Sequence, residues 1–215
     1  MITAPEWYVF GDSHSWVFTQ TDDHPKWFPV QTPVLSRDGR FRVTRLGPWL
    51  ANSLGKKEKQ DVLREALSSV PEGSKVIFSF GEIDCRCHVV PEAKASGRSI
   101  RQVCEDIAAT YLSSVNKLAR PDLRVYIWNA PPLTGGPCYN QEYPIRGTYE
   151  ECREAIECLN SCLKESCERI GAKFIDIYQF LVDGDKTRTE CFRDHIHLSP
   201  AAVWPRIEEV LKCAG

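Results

Sequence analysis

The 215-residue chain has no surplus of either charge: 27 lysines and arginines stand against 29 acidic residues, a formal net charge of -2. No basic run stands out. Nucleic-acid affinity depends on a surplus of cations that displaces counterions from phosphate, so a polyanion is not an expected partner. Long apolar runs are missing too. No segment approaches the ~18 uninterrupted apolar residues of a membrane-spanning helix. The N-terminal MITAPEWYVFGDSHS lacks the basic stretch and apolar core of a secretory signal. These absences make a cytoplasmic location the expectation. Repeats, linkers and low-complexity tracts are also lacking, and the length suits one substantial α/β domain, 1–215, better than two.

Cysteine, by contrast, is plentiful, with ten residues. That is still below the roughly 8–10% that marks a disulfide scaffold. Cys158 and Cys162 lie one turn apart in a predicted helix, a poor arrangement for mutual bridging. Most of the cysteines read as reduced, semi-apolar packing residues. Cys85-Arg86-Cys87-His88 invites a metal reading. A structural zinc site needs four ligands, usually in two paired spacings, and no second pair of that spacing occurs. Neither a metal nor a cofactor is expected.

Strand-like and helix-like patterns alternate from end to end. The apolar run Trp7 to Phe10 reads as a buried strand closed by Gly11-Asp12, Pro25 to Pro33 as a loop, and Phe41 to Leu46 as a more exposed strand. Short helices fit Pro48 to Leu54 and Asp61 to Val70. Val76 to Phe80 is a continuous apolar run suited to a central parallel strand. Ser99 and Gln102 form a capping box that opens a long helix, and Thr148 with Glu151 opens another that Gly171 stops. Between them lie a buried strand, Val125 to Trp128, and a loop from Pro131 to Gly147 that carries Tyr139, Tyr143 and Arg146. Its length suits a functional segment, and its aromatics could stack on sugar rings, though an ordinary surface loop has the same composition. Phe174 to Leu181 reads as the last strand, and Ser199-Pro200 starts a terminal helix.

Such alternation implies a parallel sheet between helical layers, with ligands held outside the carboxyl ends of the strands. The residues just past the strands are Gly11-Asp12-Ser13-His14, Gly81-Glu82-Ile83-Asp84, Asn129 and the segment around Asp194. Ser13 lies where unpaired N–H groups could face an oxyanion. A serine hydroxyl needs a neighbouring base, and His197 is the best placed of five histidines, with Asp194 three residues back to orient its ring.

Phe10-Gly-Asp-Ser-His-Ser15 resembles the first block of the SGNH (GDSL) hydrolase superfamily, and Asp194-His-Ile-His197 resembles its last. The resemblance implies a flavodoxin-like three-layer α/β/α sandwich around a mostly parallel five-stranded sheet. It implies Ser13 as nucleophile, His197 as general base and Asp194 as its orienter. The oxyanion donors it implies are the backbone N–H groups of Ser13 and of a second-block glycine, for which Gly47 is the best candidate. The implied activities are those of esterases, lipases, carbohydrate acetylesterases and O-acetyltransferases. The third block departs from the pattern Gly-x-Asn-Asp: Gly81 and Asp84 match, but Ile83 stands where the Asn would donate a hydrogen bond. Arg86 and Asn129 are the candidate substitutes.

Asp12, Gly81 and Asp84 read as structural. Asp12 braces the turn, and His14 is expected at the surface of a helix start. Glu82 and Arg86 suit either an ion pair or substrate contacts, in which His14 could share. His195 is a bystander. The reading that follows is a serine esterase for small acyl groups, acetyl above all, on carbohydrate. An O-acetyltransferase would use the same residues, and Ile83 keeps open a non-catalytic carbohydrate-binding protein.

Overall fold

The computed structural model describes residues 4–22, 31–136 and 142–214. At its centre is β1 (Trp7–Gly11), buried along its whole length. Successive side chains serve opposite faces: Trp7 and Val9 enter one core, Tyr8 and Phe10 the other. A continuous apolar run behaves this way in a sheet covered on both sides. The remaining strands are β2 (Pro33–Leu35), β3 (Phe41–Arg45), β4 (Lys75–Ser79), β5 (Arg124–Trp128) and β6 (Lys173–Ile175), in the order β2-β3-β1-β4-β5-β6. All neighbours are parallel except β2, which runs antiparallel to β3. A two-stranded hairpin, β7 (Val182–Asp183) with β8 (Lys186–Thr187), stands apart.

The sheet has six strands rather than five because of β2, which begins at Pro33 inside the stretch predicted as loop. Residues 25–30 of that stretch lie outside the described residues. Proline is tolerated at the start of an edge strand, where its missing N–H interrupts no ladder. Nor is β3 exposed. Phe41 and Val43 are fully buried, and Phe41 meets Trp204 edge-on at 5.4 Å.

One face of the sheet is covered by α1 (Lys57–Ser68) and by a helical run that begins at α2 (Glu82–Asp84), passes through a π-helical turn at Cys85–Val89 and ends as α3 (Val90–Ser96). The long helices α4 (Ile100–Leu118) and α5 (Tyr149–Cys167) complete that layer. Both predicted capping boxes are formed. Ser99 Oγ accepts from Gln102 N at 3.2 Å while Gln102 Oε1 accepts from Ser99 N at 3.0 Å, and Thr148 and Glu151 exchange the same pair of bonds. In place of a helix over Pro48–Leu54 there is a 3₁₀ turn at Ala51–Gly55. The opposite face is covered by a 3₁₀ helix, Ser13–Thr19, and by α7 (Pro200–Ala214).

The predicted strand Phe174 to Leu181 divides in two. Asp176 Oδ1 accepts from Tyr178 N at 2.8 Å and turns the chain into α6 (Tyr178–Leu181). Apolar residues alone do not distinguish a short buried strand from a short buried helix. Among the described residues nine cysteines carry free thiols. Cys85 and Cys104 both direct theirs at the Ala155 carbonyl, and Cys87 directs its own at Pro144. No described helix is long and apolar enough to cross a membrane.

Candidate active site

The parallel strands β1, β3 and β4 end side by side, with Gly11 in register with both Arg45 and Ser79. Gly11 allows the close approach: a Cβ there would lie 2.5 Å from the Ser79 carbonyl oxygen. Beyond it Asp12 caps the 3₁₀ helix, accepting from His14 N at 2.8 Å, and its carbonyl accepts from Ser15 Oγ at 2.7 Å. Asp12 is fully buried, which pushes its carboxyl up to about 6. Its bracing of this turn is what the sequence suggested.

Ser13, half-buried at the head of the 3₁₀ helix, meets the segment that precedes α7. Ser13 Oγ lies 2.9 Å from His197 Nε2, and His197 Nδ1 lies 2.8 Å from Asp194 Oδ2. The other Asp194 oxygen accepts from the backbone N–H groups of Ile196 at 2.8 Å and His197 at 2.6 Å. One carboxylate therefore holds both the ring and the loop that carries it. Burial favours the neutral form of Asp194, but the His197 hydrogen bond and charge outweigh it and hold the carboxyl well below its ordinary range. His197 is pulled below the ordinary histidine value, chiefly by burial and further by His14, against the opposing pull of Asp194. A neutral His197 with its proton on Nδ1 presents a lone pair to Ser13, the arrangement that general-base catalysis requires.

Leu46 N donates to Gly11 O at 2.8 Å, which sets Gly47, at φ 97°, next to the turn that carries Ser13. Among the described residues the N–H groups of Ser13 and Gly47 have no recorded acceptor, and both are candidates to face an oxyanion. The side chains suggested as a third donor are engaged elsewhere. Asn129 is buried, with Nδ2 donating to Ala130 O and Oδ1 accepting from Ile177 N, each at 3.1 Å. It ties together the chain leaving β5 and the chain leaving β6. Arg86 is buried, with Nε 2.7 Å and Nη2 3.2 Å from the two oxygens of Glu82 and Nη1 donating to Tyr143 O. Ile83 is buried, and its side chain has no donor to offer.

His14 is not at the surface. Its side chain is 3% exposed, and Nε2 lies 2.9 Å from Glu82 Oε2. This contact is not legible in the sequence, because the partners lie 68 positions apart; the i,i+4 spacing of Glu82 and Arg86 is the one local signal. Burial alone would raise the Glu82 carboxyl, yet the charges and hydrogen bonds of His14 and Arg86 hold it at about 2.

Gly81, at φ 118°, leaves no room for a side chain against Leu159. Asp84 accepts from Ala51 N at 2.7 Å and Asn52 N at 3.1 Å, supporting the 3₁₀ turn beyond Gly47, and burial pushes its carboxyl up to about 7. His195 is exposed, its ring 3.3 Å from Thr134 Oγ1. In the long loop, Arg146 N donates to Arg86 O at 2.8 Å, which with the Tyr143 contact laces the loop to the π-turn; Tyr139 lies outside the described residues.

No family model matches the chain, and no curated protein matches it in sequence. Solved structures do match. A carbohydrate acetylesterase from Sinorhizobium meliloti is similar over 98% of both chains, with 20% identity and a TM-score of 0.56. An aryl esterase from M. smegmatis is similar over 97% of this chain and 99% of its own, with 18% identity and a TM-score of 0.54. The OSK domain of Drosophila Oskar is similar over 99% of this chain and 89% of its own, with 16% identity and a TM-score of 0.55. The chain thus has the flavodoxin-like SGNH hydrolase fold.

Proposed function

We propose that the protein is a serine esterase that removes small acyl groups, acetyl above all, from carbohydrate through an acyl-Ser13 intermediate. The observation that carries this reading is the unbroken hydrogen-bonded line Ser13 Oγ, His197, Asp194, with steps of 2.9 and 2.8 Å. His197 takes the Ser13 proton as the oxygen attacks the ester carbonyl, and Asp194 stabilises the imidazolium that forms. The tetrahedral oxyanion faces the N–H groups of Ser13 and Gly47. The alcohol leaves with the proton from His197, and water, activated by the same base, releases the acid. Without an Asn at position 83, this oxyanion hole rests on backbone donors. A side-chain donor elsewhere is worth roughly 100- to 1000-fold in rate, so turnover is expected to be modest.

The choice of a carbohydrate ester draws support from the similarity to the S. meliloti acetylesterase. Acyl transfer to a sugar hydroxyl would use the same residues, and transfer product in excess of free acetate, given an acetylated donor and a sugar acceptor, would replace the esterase reading. The central test is a fluorophosphonate probe, which captures an activated serine. The wild type is expected to be labelled and Ser13→Ala to be silent. An unlabelled wild type, or labelling that persists in Ser13→Ala, would remove Ser13 as nucleophile.

A further inference from the structure

His14, Glu82 and Arg86 form an array whose side chains are all 2–4% exposed, and none takes part in the proton path above. The array nevertheless lies against that path, since the His14 and His197 rings are 5.1 Å apart, tilted by 31°. We propose that Glu82, itself gripped by Arg86, keeps His14 as a cation beside the His197 ring, so that His14 is a positioning residue that sets the acidity of the base. The inference rests on the assignment of His197 as base to Ser13.

The charges around each ring give the direction. His14 faces the carboxylate of Glu82 and the carboxyl of Asp12 on one side of the balance and the guanidinium of Arg86 on the other. Burial favours neutral His14, but Glu82's charge and hydrogen bond, with Asp12, outweigh burial and Arg86 and raise its proton affinity. Among the described residues His14 Nδ1 has no hydrogen-bond partner, and the contact with the counter-ion is made through Nε2. His197 faces Asp194, Arg193 and His14. Two imidazolium ions about 5 Å apart repel even in a partly solvated site, by at least about tenfold in proton affinity. His14 is the ring with the buried counter-ion, so His197 is the one that stays neutral. The base then remains competent at a pH where an isolated histidine would already be protonated.

The test is the titration of both imidazoles by histidine nitrogen NMR in the wild type and in His14→Gln, which leaves the Glu82–Arg86 pair in place. It is paired with the pH profile of fluorophosphonate labelling. In the wild type His14 is expected to be still charged where His197 titrates. In His14→Gln the His197 midpoint and the acid limb of labelling both move to higher pH. At a pH on that limb the labelling rate, relative to its alkaline plateau, falls by about tenfold or more. A midpoint that stays put or moves down overturns the proposal. If His14→Gln does not fold, the wild-type titration decides alone, and a His14 that is neutral throughout the His197 transition overturns it. The NMR readout needs no chemistry at Ser13, so an unlabelled wild type would remove the esterase reading without touching this electrostatic one.

Discussion

Replacing Asp194 with asparagine separates the two tasks of that carboxylate. Oδ1 accepts from the backbone of Ile196 and His197, and an asparagine oxygen in the same place keeps both bonds, so the loop before α7 should hold its shape. Oδ2 faces His197 Nδ1, and there the amide presents N–H where an acceptor stood. The ring can satisfy it only by moving its proton to Nε2, which then donates to Ser13 instead of accepting from it. Two terms set the size of the loss. Charges about 4 Å apart at an effective dielectric constant of about 20 attract by about 4 kcal/mol. The Asp194 side chain is 43% exposed, and solvent screening reduces that to about 2 kcal/mol. Holding the ring in the wrong tautomer adds about 1–3 kcal/mol, the range for an unmatched polar contact. The sum, about 3–5 kcal/mol, is a fall in kcat of roughly 150- to 5000-fold. The assay is hydrolysis of p-nitrophenyl acetate at pH 8, with thermal melting as the control for fold. An Asp194→Asn enzyme within fivefold of wild-type kcat would refute the claim that Asp194 orients the base. A large fall in melting temperature would refute the claim that its two tasks are separable.

Two further outcomes follow from buried groups near the site. Gly11→Ala puts a Cβ 2.5 Å from the Ser79 carbonyl oxygen, forcing β1 and β4 apart. A loss of about 2–3 kcal/mol in urea denaturation is expected, together with slower fluorophosphonate labelling; wild-type stability would show that the turn accommodates a methyl group. Asp84 has a carboxyl raised from 3.8 to about 7 in the fold. Between those values the folded state holds a proton that the unfolded chain has released, so this group's contribution to stability falls as pH rises from about 4 to 7 and is constant above. Asp84→Asn should remove that slope, and subtracting the two urea-stability curves isolates it. A difference that is flat, or rises with pH, would contradict the assignment.

The features legible in the sequence are those that local chemistry settles. The apolar run at Trp7–Phe10, the capping boxes at Ser99 and Thr148, and the stop at Gly171 each depend on residues within a few positions of one another. Ser13, Asp194 and His197 stand out in two short blocks and by the rule that sheets bind ligands beyond their carboxyl ends. Other features depend on single contacts that residue type alone does not reveal. Whether Phe174–Leu181 is one strand or a strand and a helix depends on a single Asp176 cap, and β2 exists because β3 offers it an edge. Nothing within five residues of His14 foretells its burial against Glu82, and the acceptor role of Asn129 toward Ile177 is invisible in one dimension. Pairing between distant segments decides the cases of β2, His14 and Asn129, whereas Asp176 acts on its own turn, two residues away.

The hydrogen bond between Ser13 and His197 spans 184 positions. Closing so long a loop is entropically costly until the intervening strands have paired, and contacts of that separation form late in folding. Far-ultraviolet circular dichroism would recover as soon as α4 and α5 had formed, whereas reactivity at Ser13 requires the first strand and the segment before the last helix to have found each other across the finished sheet. On the proposed role of Ser13, its covalent capture in a refolding experiment serves as a clock for completed topology and counts only molecules in which both ends of the chain have arrived.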